Sequence, residues 1–439
     1  MRSEYRGIRL GRYGTMPEGK NGKPVPAAIV GLGFGDEGKG MAVAHEVGRS
    51  RACGLDAMVV RFNGGPQAAH NVRVVDRDGN IRHHTHAQFG SGALLGADTV
   101  LTKGMLVNPM SIGTEADALA RTCDDPEILS RLIIDRRCPV TLPLHARANR
   151  ALERKRGAAR HGSTGLGIGI ARACEHAVAE GEVPGGMLVN VGAIMDGTGL
   201  AEKIAFWSRW VEGRFGVSLA TAEDSSRNEA RMLHDTLEEL TEAGMRIVDD
   251  ATEVARQAMA DGWTGVTFEG SQGILLDERH GWFPHVTYGD MTADNAFEIA
   301  AGLPLRVLGI TRTYQTRHGA GPMPTEGTLL ADEPDNATSE WAGAFRTGLL
   351  DVPTLGRAAR AVRPDSVAVS CLDRYPGRYV SEWSGERTHA GCERPVPTGP
   401  TTTPADESGI LDEIRNACGC EVTVLGRGDT TSAWADVQA

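Results

Sequence analysis

No stretch of this sequence approaches 18 uninterrupted apolar residues, which excludes a membrane-spanning helix. Basic charge is not in excess: 46 Lys and Arg stand against 57 Asp and Glu, a net charge of −11, with no long basic run. Non-specific nucleic-acid binding, which relies on many cations at the phosphate backbone, is disfavoured. There is no internal repeat and no low-complexity segment. The eight cysteines (53, 123, 138, 174, 371, 392, 418 and 420) form none of the frameworks of small secreted domains, so a reducing cytoplasm is the expected location. The opening MRSEYRGIRLGRYG is basic but lacks an apolar core, and no secretory signal is expected there.

What is present can build a sizeable core. A chain of 439 residues suggests roughly three domains at about 150 residues each, or one large α/β unit. Residues 1–26 are rich in Gly, Pro and charge, and a mobile arm is expected there, followed by a single domain over 27–439. From Pro26 the text reads as an apolar strand, a glycine-rich loop and a helix (AAIVGLGFGDEGKGMAVAHEV). AMVVRF, the segments LLGADTVLTKGMLVNP and RLIIDRR, VTFEGSQGILLD, LRVLGITRTYQTRHGAG, SVAVSCLD and CEVTVLGRGD read as further strands running into loops. Residues 144–160 and much of 201–262 read as helical, and 376–406 as a surface excursion. Strands alternating with helices predict an α/β fold, a large, mostly parallel sheet flanked by helices.

Gly35-Asp36-Glu37-Gly38-Lys39-Gly40 lies between that first strand and helix. Glycines there let backbone N–H groups converge on phosphate oxygens, and the helix N-terminus adds a positive field. Lys39 can reach a phosphate, and Asp36 can hold Mg²⁺ or take a proton. The spacing departs from the common GxxxxGK[ST] loop, so an ordinary glycine-rich turn stays open on this motif alone. HHTH (83–86) invites a metal-cluster reading, though the family that the segments below resemble has a plain strand there; Cys418-Gly-Cys420 has no partner pair at zinc spacing and reads as structural.

Four more segments follow in order: RFNGGPQAAH (61–70), HGSTGLGIG (161–169), FEGSQGILLDERHGWFPHVT (268–287) and TRHGAGPMPTE (316–326). With GDEGKG they resemble the adenylosuccinate synthetase family, whose segments read close to GDEGKGK, RFQGGNNAGHT, GTTGRGIGP, FEGAQGTLLDxDHGTYPxVT and TRVGAGPFPTE. The resemblance runs from about residue 27 to 435. It implies a single α/β domain related to P-loop nucleotide hydrolases, and a homodimer in which both chains contribute to each site.

It also implies a reaction, in which GTP phosphorylates the 6-oxygen of IMP and the amine of aspartate then displaces phosphate. By that resemblance Asp36 is the general base and a ligand of one Mg²⁺ per subunit, with the Ala69 carbonyl as a second metal contact. His70 is the general acid, Lys39 the phosphate-loop lysine, and Gln272 a fourth catalytic residue. The NTP would be held by Gly35, Asp36, Glu37, Gly38, Lys39, Gly40, Met41, Arg346, Cys371, Leu372, Asp373, Leu425, Gly426 and Arg427. The purine nucleotide would be held by Gln67, Ala68, Ala69, His70, Thr164, Gln272 and Thr287, and the amine-substrate loop by Thr338, Ser339 and Arg346.

Four departures from the family text concern substrate choice. Where the family's aspartate loop reads near TTGRRRRTGWLD, this chain has NATSEWAGAFRTGLLD, so the arginine run is lost. GTTGRGIGP has become GSTGLGIGI, and the family arginine that reaches the neighbouring subunit's nucleotide falls on Val178. The guanine-recognition TKLD is Ser370-Cys371-Leu372-Asp373, and the last turn carries Arg427-Gly428-Asp429. Planar arginines recognise carboxylates bidentately, so a dicarboxylate substrate has lost anchors. The residues expected to transfer phosphate are intact. Three readings follow: the reaction on IMP and aspartate, a paralogue with a changed acceptor or amine, and a non-catalytic nucleotide-binding regulator.

Overall fold

Ala27–Gly31 (β1) is buried at all five positions, the pattern of a parallel strand covered on both faces. In this computed structural model, which describes residues 4–437 apart from 6, 10–12, 20–22, 220–223, 330–332, 334–335, 337–339 and 390, β1 lies inside a ten-stranded sheet. The other strands are Asp56–Arg61 (β2), Asp98–Leu101 (β3), Leu132–Asp135 (β4), Arg246–Val248 (β5), Thr264–Gly273 (β6), Arg306–Arg312 (β7), Ser366–Ser370 (β8), Glu421–Gly426 (β9) and Trp434–Asp436 (β10). Their order across the sheet is β10-β9-β8-β7-β1-β6-β2-β3-β4-β5. All neighbours pair in parallel except β10, which closes one edge antiparallel to β9. Two apolar clusters, one on Ile29, Val59 and Ile310 and the other on Val30, Val60 and Phe268, cover the two faces.

This topology places the site. In a parallel sheet every strand ends at the same edge, where open α/β sheets bind their ligands. GDEGKG follows β1, NGGPQAAH follows β2, TRTYQTRHGAG follows β7, and Cys371–Asp373 follow β8. β6 reaches that edge irregularly: Glu269 pairs with Ile29 but Gly273 with Gly31, so four residues of β6 span two of β1. The bulge takes Ser271 and Gln272 out of the ladder, the usual use of such irregularities beside a site.

The predicted central strands are found, and the edges β5 and β10 add to them. Helix Pro143–Arg156 matches the predicted basic helix, and Leu200–Phe215, Ser225–Glu242 and Ala251–Asp261 the later ones. The expected excursion 376–406 is a two-stranded hairpin, Arg378–Arg387 with Val396–Pro404, anchored by buried Tyr379, Val380 and Val396. Of the arm expected over 1–26, some described positions touch the body, while Arg9, Thr15, Pro17, Glu18 and Lys23 are exposed. Ile8 is buried in the core, and the Tyr13 ring lies 4.9 Å from that of His45. This explains why all fourteen residues of helix Lys39–Ala52 are buried, polar ones included. Among the described residues no helix is long and apolar enough to cross a membrane.

Candidate active site

The loop after β1 turns through three unusual backbone positions within four residues. Gly35 and Gly38 have φ of 96°, and Asp36, between them, has φ of 56°. A non-glycine residue held there costs about 1–3 kcal/mol and marks a functional constraint. The loop ends at helix Lys39–Ala52, whose N-terminus carries no side-chain cap, leaving its first N–H groups available to an anion.

Glu37 braces the loop from inside. Its Oε1 accepts from Gly33 N at 2.9 Å and Gly35 N at 2.8 Å, and its Oε2 lies 2.5 Å from Lys39 Nζ. Both side chains are almost wholly buried. A Cβ on Gly273 would stand 2.2 Å from Glu37 Oε1, so glycine is required where β6 passes this carboxylate. Ser370 Oγ at the end of β8 donates to the Glu37 carbonyl at 2.7 Å and ties the loop to the sheet. Lys39 therefore sits in the loop as expected, but its ammonium is paired within the protein.

Asp36 faces outward. Its Oδ2 lies 3.2 Å from His318 Nε2, and its carbonyl accepts from Arg312 Nε. Burial opposes its ionisation, but the His318 hydrogen bond, with the charges of His318, Arg312 and Lys39, outweighs it and holds the carboxyl at about 2. His318 moves the other way: burial lowers its pKa, and the bond to Asp36 raises it past its ordinary value. The His318 ring also packs on Phe345, with centroids 4.5 Å apart.

His70 follows the loop after β2. Its Nδ1 is 2.5 Å from Glu269 Oε1, and its Nε2 faces the Ser271 carbonyl at 3.0 Å. Glu269 is fully buried on β6; burial raises its carboxyl, but Arg61, His70 and Ser91 overcome that and hold it well below the usual range. A carboxylate behind one ring nitrogen orients the imidazole.

Gln67, Thr164, Gln272, Thr287 and His318 line a cavity of about 430 Å³, which meets the groups above through His318; Asp36, Lys39 and His70 are not in its wall. Four separate motifs thus meet on one cavity, although Thr164 and Thr287 lie 123 positions apart in the chain. Both amide atoms of Gln67 are buried without a hydrogen-bond partner. An unpaired buried amide is costly in a native fold, and a ligand can satisfy it. Ala68 is buried and Ala69 exposed beside it.

The remaining residues divide. Cys371, Leu372 and Asp373 follow β8, while Leu425 and Gly426 end the adjacent β9, so these five lie together; Asp373 is exposed. Arg427 is paired with Glu407, Nη1 to Oε2 at 2.6 Å. Arg346 is bonded at the cavity's rim: it donates to Glu326 at 2.7 Å, to the carbonyl of Gly319, which lines the cavity, and to the Gly321 carbonyl. Thr338 and Ser339 lie outside the described residues. Trp341 is docked away on helix Pro143–Arg156, with Arg150 and Arg154 5.7 and 5.1 Å from its ring centre. Val178 packs against the core. The HHTH strand alternates as a strand should: His84 and His86 are buried, and burial pushes His86 down to about 3, so it is neutral core. Cys418 is half-buried, and burial pushes its thiol up to about 12.

Sequence reading missed three contributors. Glu37 stands in the glycine-rich motif, but its bracing of the loop from inside is visible only in the fold. Glu269 stood in the quoted FEG motif without a role. His318 was visible as the histidine in TRHGAG where the resembled family has valine.

A glycine-rich loop at the carboxyl edge of a parallel sheet, with a carboxylate, a histidine and a lysine around it, defines a nucleotide-handling α/β enzyme. The comparisons carry this further. The adenylosuccinate synthetase family model matches residues 28–378. An adenylosuccinate synthetase of Acidithiobacillus ferrooxidans is 32% identical over 371 residues, covering 80% of this chain and 77% of that one. One of Thermoplasma acidophilum is 30% identical over 370 residues, covering 82% and 78%. The fully ligated adenylosuccinate synthetase of Plasmodium falciparum shares the fold, with a TM-score of 0.71 at 19% identity over 94% of this chain and 100% of that one. A cyanophage S-2L succinoaminodeoxyadenylate synthetase, bound to dGMP and dATP as an energy donor, gives a TM-score of 0.58 at 20% identity over 98% and 97%. The chain belongs to the adenylosuccinate synthetase family, and it is an NTP-dependent ligase.

Proposed function

We propose that this ligase transfers the γ-phosphoryl group of GTP to the 6-oxygen of IMP and then joins the amine of aspartate at C6. The observation that carries this reading is the cavity on which Gln67, Thr164, Gln272 and Thr287 converge, with the Gln67 amide unpaired. Gln67, Ala68, Ala69, Thr164, Gln272 and Thr287 hold the purine nucleotide. Gly35 to Met41 hold the NTP phosphates, and Cys371, Leu372, Asp373, Leu425, Gly426 and Arg427 surround its base.

The purine 6-oxygen is a poor nucleophile until the N1 proton leaves, so a base is needed, and Asp36 is ionised at neutral pH. His70, backed by Glu269, supplies a proton or positive charge to the transferring phosphoryl oxygens. Lys39 turns from Glu37 to phosphate when a nucleotide competes for it. The Asp36 carboxylate and the carbonyl of Ala69, an exposed residue, are hard oxygen donors of the class Mg²⁺ takes. Bound there, one Mg²⁺ per subunit would offset phosphate charge.

A second reading, a changed amine partner, is favoured by where the arginines go. Arg346 is bonded to Glu326 and two carbonyls, Arg312 to Glu333 at 2.8 Å, and Arg317 to the Pro322 and His285 carbonyls at 2.7 Å each. All three are thus engaged within the protein, and the buried Nε of Arg317 and of Arg346 has no partner among the described residues. The cyanophage protein of the same fold carries dGMP and dATP, which illustrates other nucleotides on this architecture. A regulator without catalysis is opposed by the retained Asp36 and His70.

We further propose one domain over 27–439, supported by a sheet whose strands run from Ala27 to Asp436. A homodimer and a cytoplasmic location complete the reading; the eight cysteines, all free, suit a reducing compartment. The deciding experiment is phosphate release from GTP or ATP with IMP or other carbonyl acceptors, with and without aspartate. Release requiring GTP, IMP and aspartate together supports the first reading. Release driven by another acceptor or amine supports the second, and tight nucleotide binding with no release on any combination overturns both.

A further inference from the structure

The turn between strands Arg378–Arg387 and Val396–Pro404 lies against the loop that carries His285. Trp282 Nε1 donates to the Pro395 carbonyl at 3.1 Å, Glu393 N to the Phe283 carbonyl at 3.4 Å, and Arg394 Nη1 to the His280 carbonyl at 3.1 Å. These bonds hold the two segments in register. Within the turn, Cys392 N donates to the His389 carbonyl at 3.0 Å, closing a His-x-x-Cys spacing. One ligand atom from each of His285, His389 and Cys392 lies within 4.8 Å of the other two. The two imidazole rings stand 6.0 Å apart at 74°. His285 Nδ1 is buried and has no hydrogen-bond partner, an unpaired group that calls for a ligand.

We propose that His285, His389 and Cys392 form a binding site for a transition-metal dication of the Zn²⁺ class. Two imidazoles and a thiolate are the donor set of a borderline-soft ion, and a poor one for Mg²⁺ or Ca²⁺. Three protein ligands leave a fourth position for water or a ligand atom. The site is therefore chemically distinct from the oxygen donors at Asp36 and Ala69. On binding, the Cys392 thiol gives its proton to solvent, the sulfur–metal bond forms, and the two imidazoles donate lone pairs; no oxidant or reductant takes part.

The surroundings are compatible with this. Burial, together with His161, Arg317, His389 and Arg346, lowers His285 to about 4, so its lone pair is free at neutral pH. Burial raises the Cys392 thiol and the Arg317 charge only partly opposes it, so the metal itself must displace the thiol proton. His285 also lines the nucleotide cavity, so the metal would staple the hairpin to the cavity wall.

The test uses the full-length chain, stripped with a chelator and titrated with Co²⁺. The expected result is a sulfur-to-cobalt charge-transfer band that saturates at one equivalent and is bleached by Zn²⁺. Cys392→Ser should lose the band, whereas Cys53→Ser, at an exposed thiol, should keep it. His389→Gln retains the sulfur and should need at least tenfold more Co²⁺ for the same band; it decides the matter if Cys392→Ser fails to fold by circular dichroism. No band at one equivalent, a band that survives in folded Cys392→Ser, or unchanged affinity in His389→Gln overturns the proposal.

Discussion

His318 Nε2 lies 3.2 Å from Asp36 Oδ2, so an imidazole bonds directly to the carboxylate proposed as the general base. The resembled family has valine at that position. The histidine gives the carboxylate a second support besides the loop itself. We expect His318→Val to reduce kcat by about tenfold to a hundredfold, as small misplacements of a reacting group do, with nucleotide KM nearly unchanged. His318→Gln, which keeps an N–H donor, should recover part of the loss. Wild-type kcat in His318→Val would remove the positioning role.

Asp36 itself is tested by removing its charge. Asp36→Asn should lower turnover by about 10²-fold or more, the usual range for a general base, with nucleotide binding largely kept. Phosphate release and calorimetric binding measure the two quantities separately. Near-normal turnover would take Asp36 out of the mechanism.

Base selectivity should be weak. Cys371 stands where the resembled family has a lysine against the base, Asp373 remains, and Arg427 is paired with Glu407. A lost cation contact over an aromatic base is worth about 0.5–2 kcal/mol. GTP should therefore be preferred over ATP by a modest factor only. Competition binding that returns a preference of several thousandfold would contradict this.

Aspartate, if it is the amine, should bind weakly. Each charge-assisted contact missing from the loop costs on the order of 1.5–3 kcal/mol, and Arg346, Arg312 and Arg317 are already bonded within the protein. Phe345 packs on His318, which puts an apolar ring next to the partner of Asp36. Saturation kinetics decides: a low-micromolar KM for aspartate with full turnover on IMP would sink the changed-amine reading.

Acid should destabilise the protein through Asp436. Burial raises this carboxyl, but His45 and Arg49 overcome it and hold it at about 2, against 3.8 for an unperturbed aspartate. The unfolded chain therefore takes up the proton first as pH falls. The contribution is complete above pH 3.8 and is lost as pH falls through about 2. Asp436→Asn should lower Tm at neutral pH and flatten its dependence across that window. Melting curves that shift in parallel for both proteins would exclude the pair.

Much of the fold was legible because its signals are local. Apolar runs such as Ala27–Gly31 and Ser366–Ser370 are continuous, and glycine-rich loops mark where each ends. The short edges Arg246–Val248 and Trp434–Asp436 were not legible, since three residues carry no period and pair only because a neighbouring strand offers an open edge. Residues 1–26 read as an arm for a related reason: Ile8 and Tyr13 are isolated apolar positions whose partners, such as His45, lie elsewhere in the chain.

By itself, the sequence determined the parallel α/β class and the family, because each is written in contiguous segments. Only the tertiary structure decided which charged side chains are already engaged. Lys39 meets Glu37, Arg346 meets Glu326 and the Gly319 and Gly321 carbonyls, and Asp36 meets His318 across 282 positions. A charged side chain's availability depends on which donors and acceptors reach it in space, and burial makes those pairings decisive, because an unpaired charge there is too costly to keep.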